Sequence, residues 1–222
     1  MPILCYIIVA VGAYLLGSIP FGFLVAKARG IDIRSVGSGN IGATNAMRVL
    51  GKPMGILVLL MDAAKGYVAC AFLPALIYNF LFARSWEDVL QNQPIEIQMR
   101  LKVLAGVCAV LGHNYTCWLK FKGGKGIATT AGVYIALAPW PLLIALVVFI
   151  LAVALTRYIS VGSISGAIVL PAVVWIMPPH NLLLGIVTTA LGALAIYKHK
   201  TNIQRLMAGT ENKLGQKPAA AK

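Results

Sequence analysis

Three polar motifs interrupt an otherwise apolar sequence, and the first has residues suited to binding an anion. It is the run 37–45, Gly-Ser-Gly-Asn-Ile-Gly-Ala-Thr-Asn, with Arg48 three residues further on. Glycines let a backbone approach a ligand closely, and Ser, Thr and Asn side chains offer hydrogen bonds. We expect Arg48 at the start of the second membrane helix, where free N–H groups favour anions. Ser38 and Arg48 are therefore functional candidates, whereas Asn40 and Thr44 suit a ligand role or a capped turn equally well.

The second motif, residues 121–126, reads Phe-Lys-Gly-Gly-Lys-Gly. Its three glycines around Lys125 predict a nest of backbone N–H groups beside a mobile ammonium group, an arrangement that suits phosphate. Lys120 and Lys122 are explained by the general excess of positive charge on one side of a membrane. The motif therefore singles out Lys125 as a phosphate ligand.

Neither glycine-rich motif indicates a nucleotide site. The first matches G-x-G-x-x-G by letter, but that fingerprint requires a preceding strand and a βαβ unit of about 30 residues. Here the motif lies between two predicted membrane helices. The second motif lacks the Ser or Thr after Gly-Lys and the upstream spacing of a Walker loop. We therefore reject dinucleotide and ATP binding for these loops.

The third motif follows the last apolar stretch and contains His199 and Asn202, with Glu211 further on. His199 and Asn202 are three residues apart and share one face if the helix continues. Their types leave a binding site and a structural role equally open, whereas Glu211 is predicted to form a structural salt bridge. His113 precedes the second motif, and a single histidine near a helix end is more often structural than catalytic.

Several common chemistries have no support in the sequence. All three aspartates, Asp32, Asp62 and Asp88, precede His113, so the H-x-x-x-x-D motif of soluble-type glycerolipid acyltransferases cannot occur. No G-x-S-x-G elbow is present, which argues against a serine hydrolase. The four cysteines form no C-x-x-C pair, so neither a zinc site nor a disulfide framework is indicated. We predict no metal and no cofactor.

The composition indicates a membrane protein. Of the 222 residues, 59% are hydrophobic and 11% are charged, whereas soluble domains average about 25% charged residues. Nineteen Lys and Arg against six Asp and Glu give a net charge of +13. Basic loops on so apolar a chain suit anionic lipid or anionic substrates, and they fit a nucleic-acid protein badly because that class keeps a soluble core.

The elements that must position the motifs are apolar stretches long enough to cross a bilayer. Spanning about 30 Å of hydrocarbon takes about 20 apolar residues. The stretches without formal charge are 3–26, 66–83, 103–119, 127–156, 158–179 and 181–197. The second stretch begins near Met54 if Asp62 and Lys65, at i and i+3, neutralise each other as a structural pair.

The stretch 127–156 is too long for one helix and carries Pro139 and Pro141 in its middle. If it crosses twice, there are seven crossings, and one side receives fifteen of the nineteen basic residues, which the positive-inside rule assigns to the cytoplasm. We therefore predict an all-α polytopic membrane protein with seven transmembrane helices, the N-terminus outside and the C-terminus cytoplasmic. Residues 1–222 form one membrane-embedded domain, with a flexible cytoplasmic tail over 213–222.

The three motifs, in this order, resemble the bacterial membrane acyl-phosphate:glycerol-3-phosphate acyltransferases, and the likeness runs from Gly17 to about Glu211. The resemblance implies a multi-pass enzyme of the bacterial inner (plasma) membrane with its active site on the cytoplasmic side. It also implies transfer of a fatty acyl group from acyl phosphate to the sn-1 hydroxyl of glycerol 3-phosphate in phospholipid biosynthesis. The products are lysophosphatidate and phosphate, and neither acyl-CoA nor acyl-carrier protein is the donor.

Carried over residue by residue, the resemblance implies that Ser38 and Arg48 are essential. It places the second motif's glycines and Lys125 at the glycerol-phosphate site. It also implies that His199 and Asn202 are functional and that Glu211 is structural. The predicted catalytic residues are Ser38, Arg48, Lys125, His199 and Asn202. The predicted substrate-binding residues are Gly39, Asn40, Thr44, Asn45, His113, Gly123, Gly124 and Gly126. The predicted structural residues are Glu211, Asp62 and Lys65.

Two functions from different classes remain to be compared. In the first, Arg48, Lys125 and glycine amides hold two phosphate groups and bring the hydroxyl to the acyl carbonyl, so no protein nucleophile is needed. His199 or a substrate phosphate then takes the proton. In the second, the protein transports a phosphorylated or anionic solute, with Asp62 and Lys65 in the translocation path. The transporter predicts an internal repeat, and we find none in the sequence.

Overall fold

A computed structural model describes residues 3–82 and 95–215, and within these ranges every regular element is helical. The α-helices are α1 (Ile3–Ser18), α2 (Phe21–Lys27), α3 (Ala43–Leu50), α4 (Lys52–Ala71), α5 (Leu73–Phe82), α6 (Ile95–Asn114), α7 (Ile127–Leu137), α8 (Pro139–Thr156), α9 (Ile159–Ile176), α10 (Leu182–Lys198) and α11 (Lys200–Met207). A single 3₁₀ turn, Cys117–Leu119, precedes the second motif. The prediction of an all-α protein is confirmed.

Several of these helices are long and apolar enough to cross a membrane. Four segments of the described chain meet that description, namely Ile3–Lys27, Lys52–Leu81, α8 and α9. A fifth is added if α10 and α11, which meet at a bend of 53°, count as one span. Length and composition therefore support four or five crossings, where the sequence analysis predicts seven. The helix α7, with 11 residues, is apolar but only about 16 Å long at 1.5 Å per residue.

Proline divides the stretch 127–156 where the sequence predicted a break. Helix α7 ends at Leu137, and α8 begins at Pro139 after Ala138, whose φ of −154° and ψ of 73° are not helical. Proline has no N–H and a fixed φ, so it fits the first turn of a helix and not its interior. The prediction of two separate helices here, the first of them short, is confirmed.

Arg48 does not lie at the start of the second membrane helix, which corrects the sequence prediction. It lies in the last turn of the short helix α3, and the membrane helix α4 begins only at Lys52. Gly51 separates the two with a φ of +90°, a conformation that suits glycine. The free N–H groups that favour an anion are therefore those at the beginning of α3, not those beside Arg48.

Close helix packing brings the motif-bearing loops together. Helix α4 packs against α7, and the residues at this contact include Gly66 and Gly132. A Cβ atom at Gly66 would overlap the backbone of Thr129, and one at Gly132 would overlap Ala63. Small residues allow such close backbone approach between membrane helices. The contact holds the beginning of α7, and hence the second motif, beside α4.

The buried ion pair between Asp62 and Lys65 is present in α4. Lys65 Nζ lies 2.8 Å from Asp62 Oδ1, and both side chains are at most 3% exposed. Lys65 also donates a 2.8 Å hydrogen bond to the carbonyl of Ile19, at the break between α1 and α2. The pairing predicted from the i, i+3 spacing is therefore confirmed, and it links two helices.

Two predicted peripheral segments lie largely outside the described residues. The connection between the second and third predicted transmembrane helices, which the predicted topology places outside, falls largely within 83–94, and these residues are not described. The tail predicted to be flexible over 213–222 is described only to Gly215. Leu214 donates its N–H to the carbonyl of Arg157 at 2.7 Å and accepts from the Arg157 guanidinium at 3.1 Å. Residues 213–215 are therefore attached to the α8–α9 connection, and 216–222 lie outside the described chain.

Candidate active site

One pocket of about 370 Å³ collects residues from all three motifs. It forms where α3, α6, α7, α9 and α10 begin or end. The predicted site residues that line it are Ser38, Asn40, Thr44, Asn45, Arg48, Asp62, His113, Lys125, Gly126, His199, Asn202 and Glu211. Those that do not line it are Gly39, Gly123, Gly124 and Lys65.

A continuous hydrogen-bonded chain joins the second and third motifs. The Lys125 ammonium donates to Asn202 Oδ1, and Asn202 Nδ2 donates to Glu211 Oε1 at 2.7 Å. The other oxygen of Glu211 pairs with Arg205 Nε at 2.6 Å. The predicted Glu211 ion pair is therefore present, and its partner is Arg205. Asn202 lies between a cation and an anion and fixes the distance between them.

The pocket carries an excess of positive charge. Its lining includes five basic side chains, Arg48, Lys52, Lys125, Arg205 and Lys213, and two acidic ones, Asp62 and Glu211. Burial, together with the nearby charge of Arg205, lowers the pKa of Lys125 to about 8, and Glu211 partly opposes this shift. Burial likewise lowers the pKa of Arg48, and Glu211 partly offsets this. Cations held this close together favour an anionic ligand, because the ligand relieves their mutual repulsion and desolvation.

Arg48 has no hydrogen bond or ion pair within the part of the chain that the structure describes. It is half-buried and lines the pocket from α3. A guanidinium offers five donors in a fixed planar arrangement that matches the oxygens of a phosphate. Arg48 is therefore a half-buried cation of this pocket that can bind a ligand without breaking a contact within the described chain.

The first motif uses its asparagines mainly to hold its own backbone. Asn45 is 1% exposed, and its Oδ1 accepts the N–H of Ser38 at 2.8 Å. Its Nδ2 donates to the carbonyls of Ile33, Val36 and Asn40 at 3.2, 3.1 and 2.9 Å. Asn40 Oδ1 accepts the N–H of Gly42 at 2.8 Å. These contacts set the loop's shape and leave the exposed hydroxyl of Ser38 to face the pocket.

The beginning of α3 adds backbone donors to the pocket. Gly42 is the N-cap residue, and no side chain caps the helix. The N–H groups of Ala43 and Thr44 precede the first intrahelical hydrogen bonds, and these residues line the pocket. Uncapped N–H groups at a helix N-terminus attract anions. Thr44, whose side chain is exposed, and Ser38 lie beside this terminus.

The nest of glycine amides predicted for the second motif is not formed by Gly123 and Gly124. Their N–H groups donate to the carbonyls of Asn114 and His113 at 3.2 and 3.0 Å, and so cap the end of α6. Gly126 lines the pocket with a φ of +82° and is the N-cap residue of α7. The amides of the first two glycines therefore support the loop, and Lys125 is the group that the loop presents to a ligand.

His199 lies at the bend between α10 and α11, so the helix does not continue straight to Asn202, yet both side chains line the pocket. Its Nδ1 lies 2.7 Å from the carbonyl oxygen of Ala195. A carbonyl only accepts hydrogen bonds, so Nδ1 carries a hydrogen. In the neutral imidazole, Nε2 then has a free lone pair that can accept a proton.

Ser160, Ser163 and Arg205 are among the polar pocket residues that the sequence analysis does not predict. Ser160 donates to Glu211 Oε1 at 3.0 Å, across 51 residues of sequence. Nothing in the spacing of these two residues predicts that contact. The position of Arg205, three residues after Asn202, does place it on the same side of a helix, and this signal was available. Gly39 turns the loop with a φ of +69° away from the pocket lining.

The fold and the pocket define an integral membrane protein of helices with a basic pocket assembled largely from their ends. The sequence profile described as glycerol-3-phosphate acyltransferase matches residues 7–209. The chain belongs to the glycerol-3-phosphate acyltransferase family.

Relatives of known sequence or structure cover almost the whole chain. A glycerol-3-phosphate acyltransferase of Trichlorobacter lovleyi is 47% identical over 202 residues, covering 91% of this chain and 94% of the relative. One of Clostridioides difficile is 44% identical over 218 residues, covering 98% and 99%. The crystal structure of PlsY (YgiH), an integral membrane glycerol 3-phosphate acyltransferase in its glycerol 3-phosphate form, matches with a TM-score of 0.78 at 37% identity, covering 95% of this chain and 96% of that one.

Proposed function

We propose that the protein transfers a fatty acyl group from acyl phosphate to the sn-1 hydroxyl of glycerol 3-phosphate, as a step in phospholipid biosynthesis. The products are lysophosphatidate and inorganic phosphate. Membership of the glycerol-3-phosphate acyltransferase family supports the acceptor and the reaction class. PlsY, at 37% and 36% identity, has been crystallised in a glycerol 3-phosphate form and a lysophosphatidic acid form. These two forms correspond to an acceptor and a product of such a reaction.

The observation that carries the proposal is the charge arrangement of the pocket. Lys125 is held by Asn202, whereas Arg48 is unpaired in the described chain, and the N-terminus of α3 faces the same space. Two phosphate groups enter this reaction, one on each substrate. A pocket with separate cationic and backbone donors can hold both, which brings the hydroxyl oxygen toward the acyl carbon.

The chemistry needs no covalent intermediate on the protein. The sn-1 hydroxyl oxygen attacks the acyl carbonyl carbon, and the bond from that carbon to the phosphate oxygen breaks. The leaving group is phosphate, so the donor is already activated. Arg48 stabilises the negative charge that develops on the departing group, while Lys125 holds the phosphate of glycerol 3-phosphate. The hydroxyl proton passes to a base.

We assign the base to His199 Nε2 among the protein's groups. The bond from Nδ1 to Ala195 fixes the ring and leaves Nε2 with its lone pair in the pocket. A substrate phosphate is the competing acceptor. His199→Gln separates the two, because a phosphate base leaves most of the turnover number intact, whereas a histidine base predicts a fall of about 100-fold or more.

The direct test is an assay of the purified protein in lipid bilayers. Acyl phosphate and labelled glycerol 3-phosphate should give labelled lysophosphatidate without carrier protein, nucleotide or metal. A matched reaction with acyl-CoA in place of acyl phosphate should give none. Product formed only from acyl-CoA would reject the donor, and no product from either donor would reject the function.

The contacts of Asp62 and Lys65 count against the transporter alternative. A translocation path needs polar groups that are free to meet a solute. Lys65 forms an ion pair with Asp62 and donates a hydrogen bond to the carbonyl of Ile19. The side chains of Asp62 and Lys65 are at most 3% exposed. The pair that suggested transport therefore has the contacts of a structural pair.

We further propose seven crossings, with the N-terminus outside, the C-terminus cytoplasmic and the pocket on the cytoplasmic side. Arg48, Lys125, Ile159 and His199 all line the same pocket. The chain therefore leaves this end of the bundle and returns to it three times, between Arg48 and Lys125, between Lys125 and Ile159, and between Ile159 and His199. Helices α4 to α6, α7 with α8, and α9 with α10 supply these three returns, and Ile3–Lys27 adds the seventh crossing. This arrangement also satisfies the positive-inside rule.

Cysteine labelling tests this topology. In a variant with the four native cysteines replaced by alanine, Asn92→Cys should react with an impermeant maleimide on intact cells. Lys217→Cys should react only after the cells are opened. Both positions lie outside the described residues, so neither substitution disturbs a contact described above. Labelling of both from outside would reject the seven-crossing topology.

A further inference from the structure

A cluster of three ionisable side chains lies beneath the pocket, and the chemistry proposed above does not use it. Asp62, Lys65 and His113 are 2%, 3% and 5% exposed. Asp62 Oδ1 lies 2.8 Å from Lys65 Nζ and 3.5 Å from His113 Nδ1. Lys65 continues to the carbonyl of Ile19 at 2.8 Å. The cluster therefore joins the α1–α2 break, α4 and the end of α6.

A cluster of ionisable side chains is energetically unfavourable in a buried position. Removing a charged pair from water has a large desolvation cost before the mutual attraction is counted, and apolar residues of similar size often give equal or greater stability. Ionisable groups inside membrane proteins therefore point to function by default. The Asp62–Lys65 pair alone would be neutral, so the group that needs explaining is His113.

The far edge of the His113 ring meets the second motif. A Cβ atom at position 124 would overlap His113 Nε2, so the imidazole packs directly against the Cα atom of Gly124. The carbonyl of His113 also accepts the N–H of Gly124 at 3.0 Å. One residue thus holds Gly124 by its ring and by its backbone, and Gly124 is joined directly to Lys125.

This geometry argues against His113 as the base. The nitrogen that would have to take a proton is Nε2, and Gly124 covers it. His199 Nε2 has no such cover among the described contacts and lines the same pocket. The ring of His113 therefore acts on the loop and not on the reacting hydroxyl.

We infer that Asp62, Lys65 and His113 are positioning residues that set the location of the Lys125 ammonium. Asp62, anchored by Lys65, faces the near edge of the imidazole, and the opposite edge supports Gly124. The loop then presents Lys125 at the distance from which it meets Asn202. The inference rests on the proposed function, because it assigns Lys125 to the glycerol 3-phosphate site. It also changes the reason for glycine at 124, which is contact with His113 and not approach of the substrate.

A double-mutant cycle tests the contact. Gly124→Ala should raise the KM for glycerol 3-phosphate about tenfold or more, leave the KM for acyl phosphate unchanged and lower the melting temperature. The His113→Asn background keeps a hydrogen-bond donor toward Asp62 but lacks the ring edge that contacts Gly124. In this background Gly124→Ala should raise the KM for glycerol 3-phosphate less than about threefold. His113→Ala provides a second background if the Asn variant does not accumulate.

The matched control is Gly106→Ala, in helix α6, which also contains His113. A Cβ atom there would lie 2.6 Å from a methyl group of Val133, far from His113. It should lower the melting temperature equally in both backgrounds and leave both KM values unchanged.

The outcomes separate this inference from the proposed function. If wild-type protein forms no lysophosphatidate, the function fails, and the melting temperatures still report the contact. An equal effect of Gly124→Ala in both backgrounds, in KM or in melting temperature, overturns the inference. Coupled melting temperatures with uncoupled KM values also overturn it, because the contact would then be structural only.

Discussion

The first and third motifs use the same side chain, asparagine, in opposite ways. Asn45 bonds only to backbone groups of its own loop, with four partners at 2.8–3.2 Å. Asn202 bonds only to charged side chains, accepting from Lys125 and donating to Glu211. Both are buried and both border the pocket. The difference teaches that a polar residue in a motif is assigned by its partners, since type and spacing are alike for scaffold and site.

The largest effect is expected where the scaffold is broken. Asn45→Ala leaves the Ser38 N–H and three carbonyl groups without their partner, which should lower the free energy of unfolding by about 3 kcal/mol. Thermal or denaturant unfolding in detergent measures this. The neighbouring Thr44→Ala is the control, because that exposed side chain makes no hydrogen bond in the described chain and should change stability by less than about 0.5 kcal/mol. Equal stability of the two variants would contradict the scaffold assignment.

Asn202→Ala should show the reverse pattern. It removes the acceptor of the Lys125 ammonium and one donor to Glu211, while the Glu211–Arg205 ion pair remains. We expect kcat/KM for glycerol 3-phosphate to fall about 30-fold, equivalent to about 2 kcal/mol, because hydrogen bonds to charged groups are worth about 1.5–3 kcal/mol. The melting temperature should fall less than in Asn45→Ala. A large loss of stability with little loss of activity would place Asn202 with the scaffold.

How much of this could be predicted from the sequence depends on the kind of interaction. The proline break before Pro139 and the i, i+3 pairing of Asp62 with Lys65 are local patterns, and both are confirmed. The hydrophobic stretches predict a helical membrane protein, and the described helices support four or five of the seven predicted crossings. Charge counting and the family resemblance predict that all three motifs lie on one side of the membrane, and residues from all three line one pocket. These features depend on residues that are close in sequence or on a bias summed over many residues.

The remaining features depend on pairings that no local pattern specifies. Gly123 and Gly124 match a phosphate nest by sequence, yet the end of α6 takes their amides. Ser160 reaches Glu211 only because α9 begins beside the turn after α11. Arg48 was placed at the start of a membrane helix because the break at Gly51 was not recognised as the end of a separate short helix. In each case the three-dimensional neighbour, and not the residue type, decides the role.

Arg48→Lys sharpens the comparison by changing hydrogen-bond geometry without changing charge. Arg48 has no partner in the described chain, so the substitution should not disturb the scaffold. Lysine keeps the charge but loses the two parallel donors that a guanidinium offers a phosphate. The rate should fall at least about 10-fold, or about 1.4 kcal/mol of transition-state stabilisation. Steady-state rates at matched membrane abundance measure this, and a normal rate would remove Arg48 from the site.

The smallest effect is expected in the pH dependence of kcat/KM, which reports the protonation of the Lys125 ammonium bonded to Asn202. Burial, with Arg205 and Arg48 nearby, lowers the pKa of Lys125 to about 8, and Glu211 only partly opposes this. The protonated form is the one that binds phosphate, so kcat/KM for glycerol 3-phosphate should fall as the pH rises through 8. Between pH 7 and pH 8.5 the ammonium fraction drops from about nine-tenths to about one-quarter, so a fall of about fourfold is expected. The substrate phosphate does not contribute, because its second ionisation is near pH 6.

Lys125→Arg identifies the group that titrates. Arginine stays protonated at every pH tested, so the fall above pH 8 should disappear in this variant even if its overall rate is lower. The profile of kcat should turn down at a higher pH than that of kcat/KM, because a bound phosphate favours the charged ammonium and raises its pKa in the complex. Arg48→Lys should keep the downward turn near pH 8, since Lys125 is unchanged. A profile that still falls at pH 8 in Lys125→Arg would assign the titration to another group and separate Lys125 from substrate binding.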